Sequence, residues 1–121
     1  MSYDIELYQP AFLKRAIEQN LGDWTNADPI SERSLSLIRD RLLSKGYRVD
    51  YESDGCCEFM PPNSNWGLQV AVFKGEVAFA IAYWEEADMA IEVARSDAKE
   101  LAKLACLGYY DRQTGEIDIT E

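Results

Sequence analysis

Alternation of apolar and polar positions opens the chain. Tyr3, Ile5 and Leu7 fall on one side and Asp4 and Glu6 on the other, so Tyr3 to Tyr8 predicts a half-buried strand. Pro10 suits the first turn of a helix, where its missing N–H costs nothing. Phe12, Leu13, Ala16 and Ile17 continue that helix to about Asn20, and a polar loop follows from Leu21 to Asp28. Ser31 can cap a second helix, with Ile30 and Leu35 placed as a hydrophobic staple. Leu35, Ile38, Leu42 and Leu43 make its buried stripe, and Arg33, Arg39, Asp40 and Arg41 mostly face water. Lys45-Gly46 ends it, with glycine just past the last turn.

Alternation returns from Tyr47 to Asp54. Tyr47, Val49 and Tyr51 are expected inside, and Arg48, Asp50, Glu52 and Asp54 outside. Gly55 interrupts, the strand resumes through Cys57-Glu58-Phe59-Met60, and Pro61 to Asn65 is a turn or exposed loop. Leu68–Phe73 and Glu76–Tyr83 form the clearest hairpin, joined at Lys74-Gly75. On its second strand Val77, Phe79, Ile81 and Tyr83 share one face and Ala78, Ala80 and Ala82 the other. The alanine face allows close approach of a helix of the same chain or of a partner, and packing within the chain is the expected case. Glu85 to Cys106 reads as the longest helix, with acids in its first turn, Lys99 and Lys103 near its end, and Gly108 as the stop. Ala87, Ile91, Ala94, Ala98, Leu101 and Ala105 are its close-packing stripe. Gly108–Asp111 is a short strand, Asp111–Gly115 a tight turn, and Glu116–Thr120 a last strand with Ile117 and Ile119 buried.

This order, β-α-α-β-β-β-α-β-β, predicts one domain over residues 1–121 of α+β class. The expected architecture is a single, mainly antiparallel sheet of five or six strands. Three helices pack on one face, in a ferredoxin-like, split βαβ variant.

Charge narrows the function classes. The chain carries a net −10. Fifteen acidic and six basic side chains after residue 45 leave −9 there, against −1 before. Nucleic acid and anionic membranes would be repelled, so neither is an expected partner. Such acidity can also serve solubility alone. The N-terminus lacks the basic flank and apolar core of a signal peptide, no run suits a membrane span, and three cysteines form no disulfide framework. A cytoplasmic protein with free thiols is the expectation.

No histidine is present, which removes the commonest general base and transition-metal ligand. No cofactor or metal is expected. Cys56 and Cys57 lie between Asp54 and Glu58, which disfavour thiolate, so they read as structural thiols. Asp50 to Gly55 has the alternation of a calcium loop, but Pro61 stands where its closing glutamate belongs.

Two acidic sets remain. One is Asp50, Glu52 and Asp54, with Glu58 beyond them. The other is Glu85, Glu86 and Asp88, with Glu92, at the start of the last helix. They read either as a protected edge and dipole complementation, or as a negative surface steering a basic partner. Trp24, Trp66 and Trp84 stand at loop edges. Trp66, after the Pro-Pro-Asn loop, is the candidate interface anchor.

Met1–Tyr8 and Gly108–Glu116 resemble the ends of a loose group of small bacterial proteins of unknown function. Some of that group resemble immunity proteins of toxin systems. The likeness covers these two ends only and implies no catalytic residue. The leading expectation is a binding module that caps a basic protein, with contacts from Asp50, Glu52, Asp54, Glu58, Trp66, Glu85, Glu86 and Asp88. The alternative is a small ligand-binding or enzymatic domain with Tyr51, Tyr83 and Tyr109 in a cleft. A homodimer is compatible with either.

Overall fold

The computed structural model describes residues 2–24, 26–62, 67–82 and 87–119. Its elements in chain order are β1 (Ser2–Tyr8), α1 (Pro10–Glu18), α2 (Glu32–Ser44), β2 (Arg48–Ser53) and β3 (Cys56–Met60). They continue as β4 (Leu68–Phe73), β5 (Val77–Ala82), α3 (Ala87–Ala105), β6 (Gly108–Asp111) and β7 (Ile117–Asp118). The seven strands form one sheet in the order β2-β3-β4-β5-β1-β6-β7, with every neighbouring pair antiparallel. The α+β class is therefore as expected.

The sheet has more strands than the five or six expected because Asp54-Gly55 is a turn. Ser53 pairs with Cys56 across it, and Gly55 has φ +87°. Asp-Gly is a favoured two-residue hairpin turn because glycine adopts positive φ without steric cost. β2 and β3 are thus a hairpin, and with β4 and β5 they make a four-stranded meander. α3 then carries the chain from β5 to β6 on the far side of β1.

The covered face of the sheet holds the main core. Ile5, Leu7, Phe59, Leu68, Val70, Val77, Phe79, Ile81 and Tyr109 are buried there, together with Ile38 and Leu42 of α2. α3 adds Ala90, Ala94, Ala98 and Leu101 to the same cluster. Large side chains on the strands meet small ones on α3, which lets the helix lie close. Of the expected stripe of α3, Ala94, Ala98, Leu101 and Ala105 are buried, Ile91 is partly buried, and Ala90 joins them; the side chain of Ala87 lies outside the described residues. Leu43, expected in the stripe of α2, is instead 45% exposed.

α2 and α3 are pinned by polar contacts at the base of this layer. The Tyr47 hydroxyl donates to Asp97 Oδ2 at 2.6 Å, and Lys45 Nζ lies 3.1 Å from Asp97 Oδ1 and 3.0 Å from Glu100 Oε1. The Ser31 hydroxyl accepts from the Ser34 N–H at 3.1 Å, so the expected cap forms.

α1 corrects the expectation of helices on one face only. Its Phe12, Leu13 and Ala16 cluster with Tyr8 and are lined by Trp24 and Tyr110. Tyr8 and Tyr110 each follow a residue of the main core, Leu7 and Tyr109, so alternation points them to the opposite face. Gly108 belongs to this packing and does not stop α3. A Cβ there would lie 2.7 Å from Leu13 Cδ2. The stop is Cys106, in the left-handed region at φ +57°, with the Leu107 N–H bonded back to the Ala102 carbonyl at 2.8 Å.

The tight turn after β6 forms around Asp111, which is fully buried. Its Oδ1 accepts from the N–H groups of Gln113 (2.9 Å) and Thr114 (3.2 Å), and its Oδ2 accepts from the Tyr3 hydroxyl at 2.5 Å. β7 is shorter than expected, and Ile117 is 41% exposed rather than buried.

Candidate functional site

The acidic strand does not present one face. The register shifts between Val49 and Tyr51, leaving Asp50 as the extra residue of a β-bulge. Beyond the bulge Tyr51 opposes Glu58 and Glu52 opposes Cys57. Cys57 is buried in the main core, so Glu52 lies on the α2 side, where its Oε2 is 2.7 Å from Arg39 Nη2. Tyr51 and Glu58 lie on the other side. Asp54 occupies the β2–β3 turn. All six residues of β2 are exposed. A short, bulged, charged strand at a sheet edge is protected against pairing with another chain.

Asp88 is exposed in the first turn of α3, whereas Trp66, Glu85 and Glu86 lie outside the described residues. The Asp54-Gly55 turn stands beside Lys74, at the end of the sheet where β5 begins. α3 starts after the other end of β5. The structure therefore does not bring Asp54 and Asp88 together. Nor do the tyrosines converge. Tyr51 is on edge strand β2, while Tyr109 is in the core on β6, with four strands between them. Tyr83 lies outside the described residues.

The residues that do converge lie on the side of the sheet away from α2 and α3. One row across the strands reads Tyr51, Glu58, Ala71, Ala78, Glu6 and Tyr110. The next reads Gln69, Ala80 and Asp4. Ala71, Ala78, Ala80, Gln69, Asp4, Glu6 and Glu58 are all half-buried. The alanine face therefore differs from the expectation: α3 packs on its opposite side, and the residues packed around α1 do not include Ala78 or Ala80. Among the described residues, the result is an open floor of small side chains flanked by carboxylates.

One corner of this floor is organised around Arg112. Its Nε donates to Glu6 Oε1 at 2.7 Å, and the Tyr8 hydroxyl donates to the same oxygen at 2.7 Å. The guanidinium carbon lies 4.8 Å from the centroid of the Trp24 ring and 5.3 Å from that of Tyr110. Such stacking fixes a cation without shielding its other donors. Trp24 is held by its indole N–H, which donates to the Leu21 carbonyl at 2.8 Å.

Glu76 stands beside this group but Arg112 pairs with Glu6. Burial first, and then the neighbouring Glu6 charge, push the Glu76 carboxyl up to about 7. Two clefts meet here. One of about 260 Å³ is lined by Glu6, Tyr8, Asp23, Trp24, Glu76 and Arg112. The other, about 370 Å³, runs past Trp24, Ala27, Phe73, Lys74 and Glu76. Its rim depends on Gly75: a Cβ there would sit 2.7 Å from the Ala27 carbonyl oxygen.

The ionisable groups here are mainly carboxylates, with Arg112 held among them by Glu6. Burial pushes the Cys56 and Cys57 thiols up, away from thiolate. Burial and the bond to Glu6 push the Tyr8 hydroxyl up as well. Among the described residues no group of three or more Cys, Asp or Glu side chains is placed to hold a metal ion. Among them, too, no helix is long and apolar enough to cross a membrane.

Of the acidic residues singled out in the sequence, Glu58 lies on this side of the sheet, whereas Asp4, Glu6, Glu76 and Arg112 were not singled out. These positions meet only through long-range strand pairing. Compared with known proteins, the chain matches no family model, no curated protein and no solved structure.

Proposed function

We propose that this chain is a protein-binding module whose open, acidic sheet face caps a cationic partner protein. In its sharpest form it is the immunity partner of a toxin, the reading that the resemblance of its two ends suggests. The observation that carries the proposal is the floor of Ala71, Ala78 and Ala80, uncovered among the described residues, between Glu58 on β3 and Asp4 on β1. A basic surface can approach closely over alanine and meet carboxylates on both sides. Long-range attraction to a −10 protein would speed the encounter at low salt. Nucleic acid and anionic membranes fit this face poorly for the same reason.

A cytoplasmic setting fits the three unpaired cysteines. For the fold, we read the β5–α3–β6 crossover around β1 as one half of a ferredoxin-like arrangement. The strand order β4-β5-β1-β6 supports that reading, with β2 and β3 extending the sheet.

The test is capture of a basic protein from the native lysate at low salt, repeated with two charge-reversed variants. Asp4→Lys with Glu58→Lys reverses the open face, and Asp50→Lys with Asp54→Lys reverses the edge. The expected result is stoichiometric capture by the wild type and the edge variant, and loss of capture by the face variant. Capture that survives face reversal but not edge reversal would move the site to β2.

A further inference from the structure

We infer that the segment seated on the open face is a basic amphipathic α-helix of the partner, lying along the strands over Ala71, Ala78 and Ala80. This rests on the reading of that face as the partner surface.

Three observations define the occupant. The first is width. Glu58 on β3 and Asp4 on β1 flank Ala71, Ala78 and Ala80, while Glu6, in the same cross-strand row as Glu58, is held by Arg112 and Tyr8. Three strand spacings separate β3 from β1 by about 14 Å. A helix with its side chains is about 10–12 Å across, so its flanks reach Glu58 and Asp4.

The second is side-chain size. On the covered face, Val77, Phe79 and Ile81 of the sheet meet Ala90, Ala94 and Ala98 of α3. On the open face the same strand offers Ala78 and Ala80. Close packing alternates large with small across an interface, so here the incoming element supplies the large side chains. An apolar stripe of Leu or Ile with Lys or Arg on either side matches both floor and walls.

The third is backbone chemistry. A strand laid on a sheet face has no N–H or C=O groups to pair with, because those lie in the sheet plane and are already bonded. A helix satisfies its own backbone and can lie on a face. A second copy of this chain, docking by the same face, would set Asp4, Glu6 and Glu58 against their own equivalents, and like charges repel.

The test uses two synthetic peptides of about 18 residues, long enough to form a helix in contact with a surface. One is an amphipathic helix with leucine on one side and lysine on the flanks. The other has the same charge, with two interior residues replaced by proline to prevent the helix. Binding is read by amide chemical shifts and titration. We expect the helical peptide to bind at least about tenfold tighter, to shift the Ala71, Ala78 and Ala80 amides, and to be weakened by both Ala78→Leu and Glu58→Lys. Unchanged melting temperatures of both variants would show that their folds are intact. Equal binding of the two peptides, weakened by Glu58→Lys but not by Ala78→Leu, would overturn the helix and leave the acidic face standing. Silence of the open-face amides with either peptide would overturn both.

Discussion

The two faces of the sheet use opposite rules. On the side of α2 and α3 the strands carry Val70, Val77, Phe79 and Ile81, all fully buried. On the other side the same strands carry Ala71, Ala78 and Ala80, all half-buried among carboxylates. Within single strands, one set of side chains builds the core and the other set stays outside it. Every second residue of β5 holds the fold together, and the residues between them stay outside that core.

The largest expected effect tests this split on neighbouring positions. Phe79→Ala should cost about 3–5 kcal/mol in urea unfolding, from lost burial and the cavity left behind. Ala80→Leu, one residue along, should cost less than about 1 kcal/mol. Similar costs at both positions would mean that the alanine face is packed after all.

Next comes Glu76, whose carboxyl is raised from the ordinary 4.5 to about 7. The folded chain therefore holds this proton more tightly than the unfolded chain does. Its ionisation costs stability as pH rises from about 4.5 through 7, and the cost is complete above that. Glu76→Gln should accordingly stabilise the protein at pH 8 by about 1–2 kcal/mol and leave pH 4 unchanged. A cation seated on the open face should weaken this pH dependence in the wild type, because it favours the ionised carboxylate. Equal stabilisation at both pH values would show that Glu76 is not held back from ionising.

The smallest effect lies on the covered side and concerns strain. Cys106 closes α3 at φ +57°, where a side chain is disfavoured. Cys106→Gly should raise stability by up to about 1 kcal/mol without touching either face, as read from the unfolding midpoint. A loss of stability would show that the Cys106 side chain has a packing role.

Much of the fold was legible from local signals. Ser31 before an apolar stripe, Gly46 after it, and Lys74-Gly75 between two apolar strands each name a cap or turn by their own chemistry. Asp54-Gly55 carried an equally good turn signal. It was obscured because Glu52 and Asp54 continued the alternation of Asp50, and the residues after Gly55 looked like the same strand resumed. The bulge at Asp50 left no such mark. It flips Tyr51 and Glu52 relative to the alternation, so the acidic strand face read from spacing is not one face. The end of α3 misled for a related reason: glycine is the usual left-handed residue after a helix, but Cys106 adopts that conformation and Gly108 serves Leu13 instead.

The candidate site was less legible than the fold. Glu6, Glu76 and Arg112 are each unremarkable in their own stretch, and strand pairing alone brings them together. The alanine face was visible as a pattern, but alternation cannot say which face a helix will cover. That depends on the crossover of α3, a property of the whole chain.

The most direct test of the account is an amide chemical-shift map of the labelled protein on addition of the basic protein recovered by low-salt capture. Shifts are expected at Asp4, Glu6, Glu58, Ala71, Ala78 and Ala80, with Ile38 and Leu42 of α2 and the edge strand β2 quiet. Shifts confined to β2 or to the α2–α3 layer, with the alanine floor unchanged, would contradict it.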